Sequence, residues 1–424
     1  MSNADITSNL VAASSEADNA ARPHRFARWC RTRIIKQLAQ LEHGCLSVSD
    51  PFGSWSVGQN GPFDAHLEVS DPAFYIDVAL EGSLGAARSW TDGHWHTTDL
   101  TQVLKLLVRN IDTVDAMEGG LASLANVVAR ARHWINRNSR SGSARNIHAH
   151  YDLGNELFVL FLDDSMTYSS GIFPTPDASL EAAQFEKLDR ICRKLKLTPE
   201  DRVVEIGTGW GSFAMHAARN YGCRVTTTTI SAEQHAMAIE RIELAGLSRL
   251  IDVRLTDYRD LEGQYDKLVS IEMIEAVGHQ FLPTYFAKCA ALLKPEGAML
   301  IQAITMPDQR YAQYLRSSDF IRAMVFPGSC CPALTAVLDA VKENTDLRLS
   351  HQEDIGLHYA RTLRLWRERF DDVVDDVRVL GYHEEFIRLW RFYLSYCEAG
   401  MEERYTGTSQ LLLQKPFSRL SGNH

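Results

Sequence analysis

The sequence has no uninterrupted apolar run of about 18 residues, so it predicts no membrane-spanning helix. Its eight cysteines are scattered, without a C-x-x-C pair or another spacing typical of metal ligands, and the first residues lack the apolar core of a signal peptide. We therefore expect a cytoplasmic protein with reduced thiols and no metal site. An excess of positive charge is also missing, because the net charge is −10, which argues against general nucleic-acid binding. Binding to a membrane surface remains open.

What is present has the composition of an ordinary globular protein, with 45% hydrophobic and 23% charged residues. A length of 424 residues predicts two or three domains. Residues 1–21 contain few large apolar side chains, so we expect a disordered tail. We interpret residues 22–125 as a small α+β domain and residues 126–145 as a basic helix and linker.

The α+β domain is predicted to begin with a basic amphipathic helix over residues 22–41. Its apolar face would carry Phe26, Trp29, Cys30, Ile34, Leu38 and Leu41. Short polar and apolar runs in residues 45–96, including 65–69 and 74–80, predict antiparallel strands, and a helix should follow from Asp99 to Asn110. The basic helix and the arginines of 130–145 could face an anionic membrane. A solvated face is the commoner explanation for such charge.

Residues 202–214 organise the rest of the chain. A β-branched run stops at Glu205, Gly207, Gly209 and Gly211 follow at alternate positions, and an alanine-rich helical pattern begins at once. Glycine lets the backbone approach a ligand closely, and the free N–H groups of a helix start supply donors. This strand, turn and helix predict a site for a nucleoside-containing cofactor, although a plain tight turn gives the same pattern.

The spacing favours S-adenosylmethionine over NAD. The dinucleotide fingerprint is G-x-G-x-x-G with an acidic residue about 20 positions later. Here the glycines are spaced G-x-G-x-G, and the second strand, residues 223–230, ends in threonine and serine without an acid.

Alternating strands and helices continue after the glycine turn and predict an α/β fold with a doubly wound parallel sheet. We predict helices at 180–197, 232–245 and 280–293, and further strands at 251–255, 266–271 and 297–304. Ligands of such a sheet bind at the carboxyl ends of its strands. Residues 306–385 interrupt this pattern with apolar helices, which we interpret as a lid over an apolar substrate or simply as extra helices.

Several side chains could carry chemistry at these strand ends. Glu272 and Glu275 follow the fourth strand, where they could be surface acids or stabilise a cation beside the cofactor. Tyr359 lies in the apolar insertion and could reach back. Cys397 is more often a buried thiol than a nucleophile in such a setting. His148 and His150 are interpreted as hydrogen-bonding loop residues, because two histidines without further ligands rarely bind a metal.

These motifs resemble one known family, the cyclopropane-fatty-acyl-phospholipid synthases, which are related to the mycolic acid methyltransferases. The resemblance is strong over residues 146–415, whereas residues 22–125 match only in general layout. It is carried by the stretches 150–155 (HYDLGN), 166–169 (MTYS), 205–211 (EIGTGWG), 229–234 (TISAEQ), 257–259 (DYR), 275–278 (EAVG) and 326–328 (FPG), and by Tyr359.

The resemblance implies a class I methyltransferase with a Rossmann-like sheet over residues 146–424. Its activity would be methyl transfer from S-adenosylmethionine to a cis double bond of a phospholipid acyl chain, followed by proton loss to a bound bicarbonate and closure of a cyclopropane ring. It also implies a homodimer that acts on the phospholipid bilayer from the inner face of the membrane. The implied cofactor-binding residues are Tyr168, Ser169, Glu205, Gly207, Thr208, Gly209, Trp210, Gly211, Thr229, Ile230, Ser231, Gln234, Asp257 and Tyr258.

Catalytic positions carried over in the same way are Glu275, Tyr359, Ser170, Gln302, Ile304 and Cys397. Two of them depart from the family pattern, since Ser170 replaces a cysteine and Gln302 a histidine among the bicarbonate ligands. Serine and glutamine still donate hydrogen bonds to an anion. A lipid methyltransferase giving methyl-branched or methylene-bearing chains, and a non-catalytic lipid-binding protein, remain alternatives.

Overall fold

A computed structural model describes residues 25–59, 61–118 and 154–420. The predicted tail (1–21), the basic segment with its linker (126–145), and both His148 and the motif residues 150–153 lie outside these ranges. Among the described residues, two compact units are distinct. One contains residues 25–118 and 384–392, and the other contains residues 154–383 and 393–420. The sequence did not assign 384–392 to the N-terminal unit.

The N-terminal unit combines a four-stranded sheet with helices. Strand β1 pairs antiparallel with β2 and parallel with β3, and β3 pairs antiparallel with β4, so the prediction of a wholly antiparallel sheet is wrong for the β1–β3 pair. The elements are α1 (residues 25–38), β1 (Cys45–Asp50), β2 (Gly53–Gly58), β3 (Asp64–Val69), α2 (Ala73–Thr91), β4 (Trp95–His96), α3 (Leu100–Arg109) and α4 (Ile111–Glu118).

Helix α1 buries only part of its predicted apolar face. Cys30, Ile34 and Leu38 are buried, as is Leu41 beyond the helix end. Phe26 and Trp29 are each 44% exposed and stack on each other with ring centroids 5.7 Å apart. The core of this unit therefore does not use its two largest predicted contributors.

The predicted strand over residues 74–80 is wrong, because these residues belong to α2. Asp71 accepts a hydrogen bond from the N–H of Ala73 and Pro72 precedes the first helical residue, which together favour a helix start. Short apolar runs do not distinguish a strand from a half-buried helix by periodicity alone. The predicted helix over 99–110 is confirmed as α3, capped by the Asp99 side chain.

The second unit is built on a seven-stranded sheet with the order β10-β11-β9-β8-β5-β6-β7. Strands β9, β8, β5, β6 and β7 are parallel, and β11 runs antiparallel to both of its neighbours. The strands are β5 (Arg202–Ile206), β6 (Arg224–Thr229), β7 (Ile251–Leu255), β8 (Tyr265–Ile271), β9 (Leu293–Thr305), β10 (Arg348–Asp354) and β11 (Gly407–Gln414).

Helices cover both faces of this sheet. On β5, Val203 packs into a core with residues of α6 and α7, whereas Val204 packs into a separate core with α9. Successive side chains of a strand point to opposite faces, so this confirms the predicted doubly wound arrangement. The helices are α5 (Asn155–Phe161), α6 (Leu180–Leu195), α7 (Ser212–Tyr221), α8 (Ala232–Leu244), α9 (Leu282–Leu292), α10 (Asp308–Arg316), α11 (Leu334–Asn344), α12 (Gly356–Asp372), α13 (Val374–Val379) and α14 (Glu384–Glu402), of which this unit contains the part from residue 393 onward.

The segment predicted as a helical insertion, residues 306–385, is helical in α10 to α13 and in a π-helical turn at Ile321–Val325. It also contains β10, which the sequence reading missed. Six of the seven residues of β10 are polar, and its side chains are exposed or half-buried. An edge strand of this kind lacks the apolar run on which the prediction relied.

Candidate active site

The glycine turn after β5 has the geometry of a ligand cradle. Gly207, Gly209 and Gly211 all have positive φ, at 104°, 52° and 89°, a region that side chains disfavour. A Cβ at Gly209 would meet nothing within 4 Å, whereas a Cβ at Gly207 would lie 3.2 Å from the Met273 side chain. Helix α7 begins directly after Gly211. The turn therefore leaves open space at a helix N-terminus, as the sequence predicts.

Glu205 is buried below this turn. Its Oε2 accepts a hydrogen bond of 2.6 Å from the Thr227 hydroxyl, which lies 2.7 Å from the hydroxyl of Thr208. Burial raises the pKa of Glu205 to about 8, against the lowering effects of the Thr227 bond and the charge of Lys187. The carboxyl group thus ties β5, β6 and the glycine turn together.

The ends of β6 and β7 place the other predicted cofactor ligands beside the turn. The Thr229 hydroxyl donates to Gln234 Oε1 at 2.9 Å, which leaves the two amide hydrogens of Gln234 as donors. Ser231 Oγ accepts from the Gln234 N–H and caps α8, while Ile230 is half-buried between them. After β7, both oxygens of Asp257 bind the guanidinium of Arg259 at 2.5 and 2.8 Å.

Tyr258 follows Asp257 in a short 3₁₀ turn and packs edge-on against Tyr285, with ring centroids 5.5 Å apart. Burial raises the pKa of its hydroxyl to about 12. This residue keeps its proton at neutral pH and presents an apolar ring with one polar end.

Tyr168 and Ser169 line a second wall of aromatic and polar groups. The Tyr168 ring packs 5.2 Å from that of Trp366, and its hydroxyl lies 2.9 Å from the hydroxyl of Tyr393. Ser169 Oγ accepts a hydrogen bond of 2.7 Å from the buried ammonium of Lys187. Burial lowers the pKa of Lys187 to about 8, opposed by the charges of Glu272, Asp163 and Glu205.

Trp210 is buried and fixes the turn to α5. Its indole N–H donates to Asn155 Oδ1 at 2.8 Å, and its carbonyl accepts from Arg241 at 2.7 Å. The ring packs against Phe158 with centroids 5.0 Å apart. These contacts give Trp210 a positioning role beneath the turn.

The carboxylate of Glu272 is the centre of a buried hydrogen-bond cluster. Its Oε1 accepts from the Ser170 N–H at 3.0 Å and from Gln302 Nε2 at 2.8 Å, and its Oε2 accepts from the Tyr359 hydroxyl at 2.7 Å. Glu272 adopts a φ of 49°, which a residue with a side chain disfavours. Strain of this kind concentrates at functional sites.

Glu275 lies next to Glu272 but has a different environment. Its Oε1 accepts from the Ile304 N–H at 2.5 Å, while its Oε2 is buried without a hydrogen-bond partner. Burial and the neighbouring charge of Glu272 raise the pKa of Glu275 to about 8. Burial also raises the pKa of Glu272, but the hydrogen bonds from Gln302, Ser170 and Tyr359 and the charge of Lys187 oppose that effect. Because Glu272 has three donors and Glu275 has one, we assign the negative charge to Glu272 and the proton to Glu275.

The residues implied to bind bicarbonate are therefore divided between two carboxyl groups. Gln302 and Tyr359 donate to Glu272, Ile304 donates to Glu275, and the Ser170 hydroxyl donates locally to the Gly171 carbonyl at 2.9 Å. The donors that an added anion needs are already directed at the chain's own carboxylate. The arrangement does not fit a separate bicarbonate ion, because Glu272 already accepts the hydrogen bonds of Ser170, Gln302 and Tyr359.

Cys397 on α14 is half-buried, and burial raises the pKa of its thiol well above the ordinary value. Such a thiol is a poor nucleophile because the thiolate is the reactive form. Among the described residues, no group of three or more histidine, cysteine, aspartate and glutamate side chains is arranged to hold a metal ion.

The sequence reading missed three polar residues of α6 that reach this region. Gln184 Nε2 donates to the Ser169 carbonyl at 2.9 Å, Lys187 donates to Ser169 Oγ, and Lys194 contacts the far side of the Glu272 cluster through Gln410. All three are buried on the apolar face of the helix beside Ile191. The sequence signal that could have identified them is a polar residue at a position where the helical pattern predicts an apolar one.

Comparison with known proteins identifies the family to which this arrangement belongs. Residues 138–411 match the mycolic acid cyclopropane synthetase family. The chain is 38% identical over 416 residues to the tuberculostearic acid methyltransferase UfaA1 of Mycobacterium tuberculosis, covering 94% of this chain and 92% of that protein. It is 35% identical to the cyclopropane-fatty-acyl-phospholipid synthase of Escherichia coli, covering 86% of this chain and 94% of that one. The chain belongs to the mycolic acid cyclopropane synthetase family.

Solved structures of the cyclopropane synthetase family share the fold of the second unit. The cyclopropane synthase MmaA2 of Mycobacterium tuberculosis superposes with a TM-score of 0.60 at 29% identity, covering 64% of this chain and 98% of that one. The mycolic acid cyclopropane synthase CmaA1, solved with S-adenosylhomocysteine and CTAB, gives the same TM-score, identity and coverage. This member of the family is an S-adenosylmethionine-dependent methyltransferase that acts on lipid acyl chains. Within the described ranges, no helix is long and apolar enough to cross a membrane.

In this methyltransferase the proton assigned to Glu275 predicts a specific pH dependence of stability. A folded-state pKa near 8, against an ordinary value of 4.5, means that the folded protein binds one more proton than the unfolded chain between these values. Stability from this group is complete below pH 4.5 and is lost as the pH rises towards about 8, with a limiting slope of about 1.4 kcal/mol per pH unit. Glutamine mimics the protonated carboxyl group, so Glu275→Gln should remove this loss.

Urea unfolding of both proteins between about pH 5 and about pH 8 tests this directly. We expect the variant to gain free energy of unfolding relative to the unsubstituted protein as the pH rises. Since other buried groups are common to both proteins, the difference isolates Glu275. A difference that does not change with pH would contradict the assignment of the proton.

Proposed function

We propose that this protein transfers the methyl group of S-adenosylmethionine to a cis double bond of an unsaturated phospholipid acyl chain, and that Glu272 accepts the proton which the resulting cation loses. The observation that carries the proposal is the buried Glu272 carboxylate, held by Ser170, Gln302 and Tyr359 at the strand end beside the glycine turn.

The side chains of this site fit the demands of the reaction. Bound S-adenosylmethionine supplies an electrophilic methyl group, with the Gly207–Gly211 turn, Gln234 and Tyr168 as its expected contacts. An alkene is a poor nucleophile, so alignment in a water-free pocket must provide much of the rate. As the new carbon–carbon bond forms, the chain carbon becomes cationic. An anionic Glu272 and the faces of Tyr168 and Trp366 stabilise such a cation.

Glu272 then completes the reaction. Loss of a proton from the new methyl group to the carboxylate leaves an electron pair that closes the cyclopropane ring. A carboxylate fixed by three donors needs no exchange with solvent to reach its position, so we propose this route in place of bicarbonate. The carboxyl group afterwards releases its proton to water for the next cycle.

The phospholipid substrate is supported by the relative from Escherichia coli, a cyclopropane-fatty-acyl-phospholipid synthase. Work at the inner face of a membrane is supported by the exposed Phe26 and Trp29 on α1 and by Arg33, which lies 5.1 Å from the Trp29 ring. An aromatic surface with basic neighbours suits an anionic bilayer. A homodimer remains part of the proposal by family resemblance.

A second candidate product is a methyl-branched or methylene-bearing chain. It is favoured by the 38% identity over 94% of the chain to a tuberculostearic acid methyltransferase, together with the changes at Ser170 and Gln302. The first step and the proton acceptor would be the same, and only the position of the cation at proton loss would differ. Proton loss then leaves a methylene-bearing or methyl-branched alkene, and saturation of that double bond would need a separate hydride donor.

Mass spectrometry of acyl chains, after incubation with methyl-labelled S-adenosylmethionine and vesicles of unsaturated phospholipid, tests the proposal. We expect label in the lipid, a gain of CH₂ and resistance of the product to ozonolysis. Cleavage by ozone at the methylated carbon would show that the product is the methylene-bearing chain and not the cyclopropane. Vesicle binding without label in lipid would reject both enzymatic products in favour of a lipid-binding protein.

A further inference from the structure

A row of polar side chains crosses the sheet from its edge to Glu272. Glu353 on β10 is the register partner of Gln410 on β11, and Gln410 is the register partner of Gln302 on β9. Directly opposed residues share one face of a sheet. We call Glu353, Gln410 and Gln302 the polar row.

Hydrogen bonds connect the row continuously. Lys194 Nζ donates to Glu353 Oε2 at 2.6 Å and to Gln410 Oε1 at 2.8 Å. Gln410 Nε2 donates to Gln302 Oε1 at 3.0 Å, and Gln302 Nε2 donates to Glu272 Oε1 at 2.8 Å. Gln302 and Gln410 are completely buried, so water cannot replace these partners at low cost.

The direction of every bond in the row agrees with Lys194 as its donor end, and the Gln302 amide nitrogen also donates to the Ser170 carbonyl at 3.3 Å. An ammonium group has donors and no acceptor, so Gln410 must turn its oxygen towards it. The amide nitrogen of Gln410 then faces Gln302, whose side-chain oxygen accepts its hydrogen bond. The amide nitrogen of Gln302 is left facing Glu272. Reversal of both amides would direct the Gln302 oxygen at the Glu272 carboxylate and create a repulsive contact.

We propose that Lys194 is a positioning residue for the Glu272 carboxylate: acting through Gln410 and Gln302, it fixes the amide direction that keeps a donor on the reacting carboxylate. This inference rests on the proposed function, since it concerns how that proton acceptor is maintained. Lys194 itself touches neither the cofactor turn nor the reacting group.

The charged groups facing both ends of the row are few. Lys194 faces Glu353, which also binds Arg190 at 2.5 Å. At the other end, Glu272 faces Glu275, Lys187 and Tyr359. Changing Lys194 or Gln410 leaves Glu353, Arg190, Glu275, Lys187 and Tyr359 in place. Arg190 still pairs with Glu353 when Lys194 is replaced.

The test is the pH profile of kcat/KM for Lys194→Met with labelled S-adenosylmethionine and unsaturated phospholipid vesicles. The acid limb of such a profile reports the pKa of the essential base in the free enzyme. Without an enforced donor, Glu272 should bind its proton roughly tenfold more tightly, because a hydrogen bond to a charged group contributes about that factor or more. We expect the acid limb to move up by about one pH unit, with the KM for S-adenosylmethionine unchanged.

Two further variants separate positioning from a merely structural role. Lys194→Arg keeps a donor-only cation and should restore the original limb. Gln410→Leu interrupts the row while sparing the Lys194–Glu353 pair, and should shift the limb by the same amount. The double variant Lys194→Met with Gln410→Leu should shift it no further, because both changes break one path.

An acid limb that stays in place in an active Lys194→Met or Gln410→Leu enzyme would overturn this inference, as would additive shifts in the double variant. Either result leaves the proposed function intact, because labelled lipid would still be formed. If Lys194→Met does not fold, Gln410→Leu and Lys194→Arg decide the question alone. Absence of labelled lipid from the unsubstituted protein would instead reject the proposed function.

Discussion

Replacement of Glu272 by glutamine lowers kcat for lipid methylation by about 10²–10⁴-fold, the usual contribution of a positioned general base. The Kd for S-adenosylmethionine stays within about threefold, since no predicted cofactor contact is lost. The physical reason is that glutamine keeps the size of the side chain but cannot accept a proton from the cation. Its amide also places a donor against those of Ser170, Gln302 or Tyr359.

Rapid-quench measurement of product formation, with calorimetric titration of S-adenosylmethionine, gives both quantities. Glu275→Gln is the matched comparison, and we expect a smaller loss of kcat because this carboxyl group already holds its proton. Glu296→Gln, at an exposed position near the start of β9, serves as the surface control. A larger loss in Glu275→Gln than in Glu272→Gln would transfer the role of proton acceptor to Glu275.

Replacement of Gly207 by alanine weakens S-adenosylmethionine binding by roughly tenfold to hundredfold, corresponding to the usual cost of backbone strain. Gly207 has a φ of 104°, and a methyl group there would lie 3.2 Å from Met273. Both Gly207 and Thr208 donate their N–H groups to the Thr228 carbonyl, so relief of the strain must displace the turn. We expect the cofactor to approach this turn closely, because its glycines leave the backbone uncovered.

Calorimetric titration of S-adenosylmethionine and thermal unfolding without ligand measure this effect. Gly246→Ala is a matched control, because Gly246 also has a positive φ, at 70°, but lies after α8 with open space around its Cβ position. We expect it to lower Tm without changing the Kd. An unchanged Kd in Gly207→Ala would exclude a close approach of the cofactor to this turn.

Much of the catalytic unit could be predicted from the sequence. The strands at 223–230 and 251–255 and the helices at 180–197 and 232–245 agree with β6, β7, α6 and α8 to within about two residues, the usual uncertainty of element ends. The two helices have long amphipathic patterns and clear caps, Ser179 and Ser231. Strand β6 is rich in β-branched residues, and β7 alternates apolar and charged residues. Short or polar elements were harder, which is why residues 74–80 were predicted as a strand and β10 was missed.

Candidate site residues divide in the same way. Strand ends are local features, so the glycine turn, Thr229, Gln234, Asp257 and both glutamates were found from their positions in the chain. The hydrogen-bond partners of these groups could not be predicted from their positions in the chain. Gln410, for example, follows Gln302 by 108 positions and Lys194 by 216, and only the pairing of β9 with β11 brings the three together.

The sequence by itself determined a doubly wound α/β domain and the position of a glycine turn, and it predicted a cofactor site there with a pair of glutamates beside it. Periodicity and turn chemistry act over a few residues, so they are written locally in the chain. Only the tertiary structure supports the assignment of the negative charge to Glu272 rather than Glu275. Tyr359, Gln302 and the Ser170 N–H, from three distant segments, all donate to Glu272, while Glu275 receives one backbone donor and remains close to its neighbour's charge. The number of hydrogen-bond donors, set against the burial of each carboxyl group, is the basis for placing the proton on Glu275. These contacts exist only when the chain is folded.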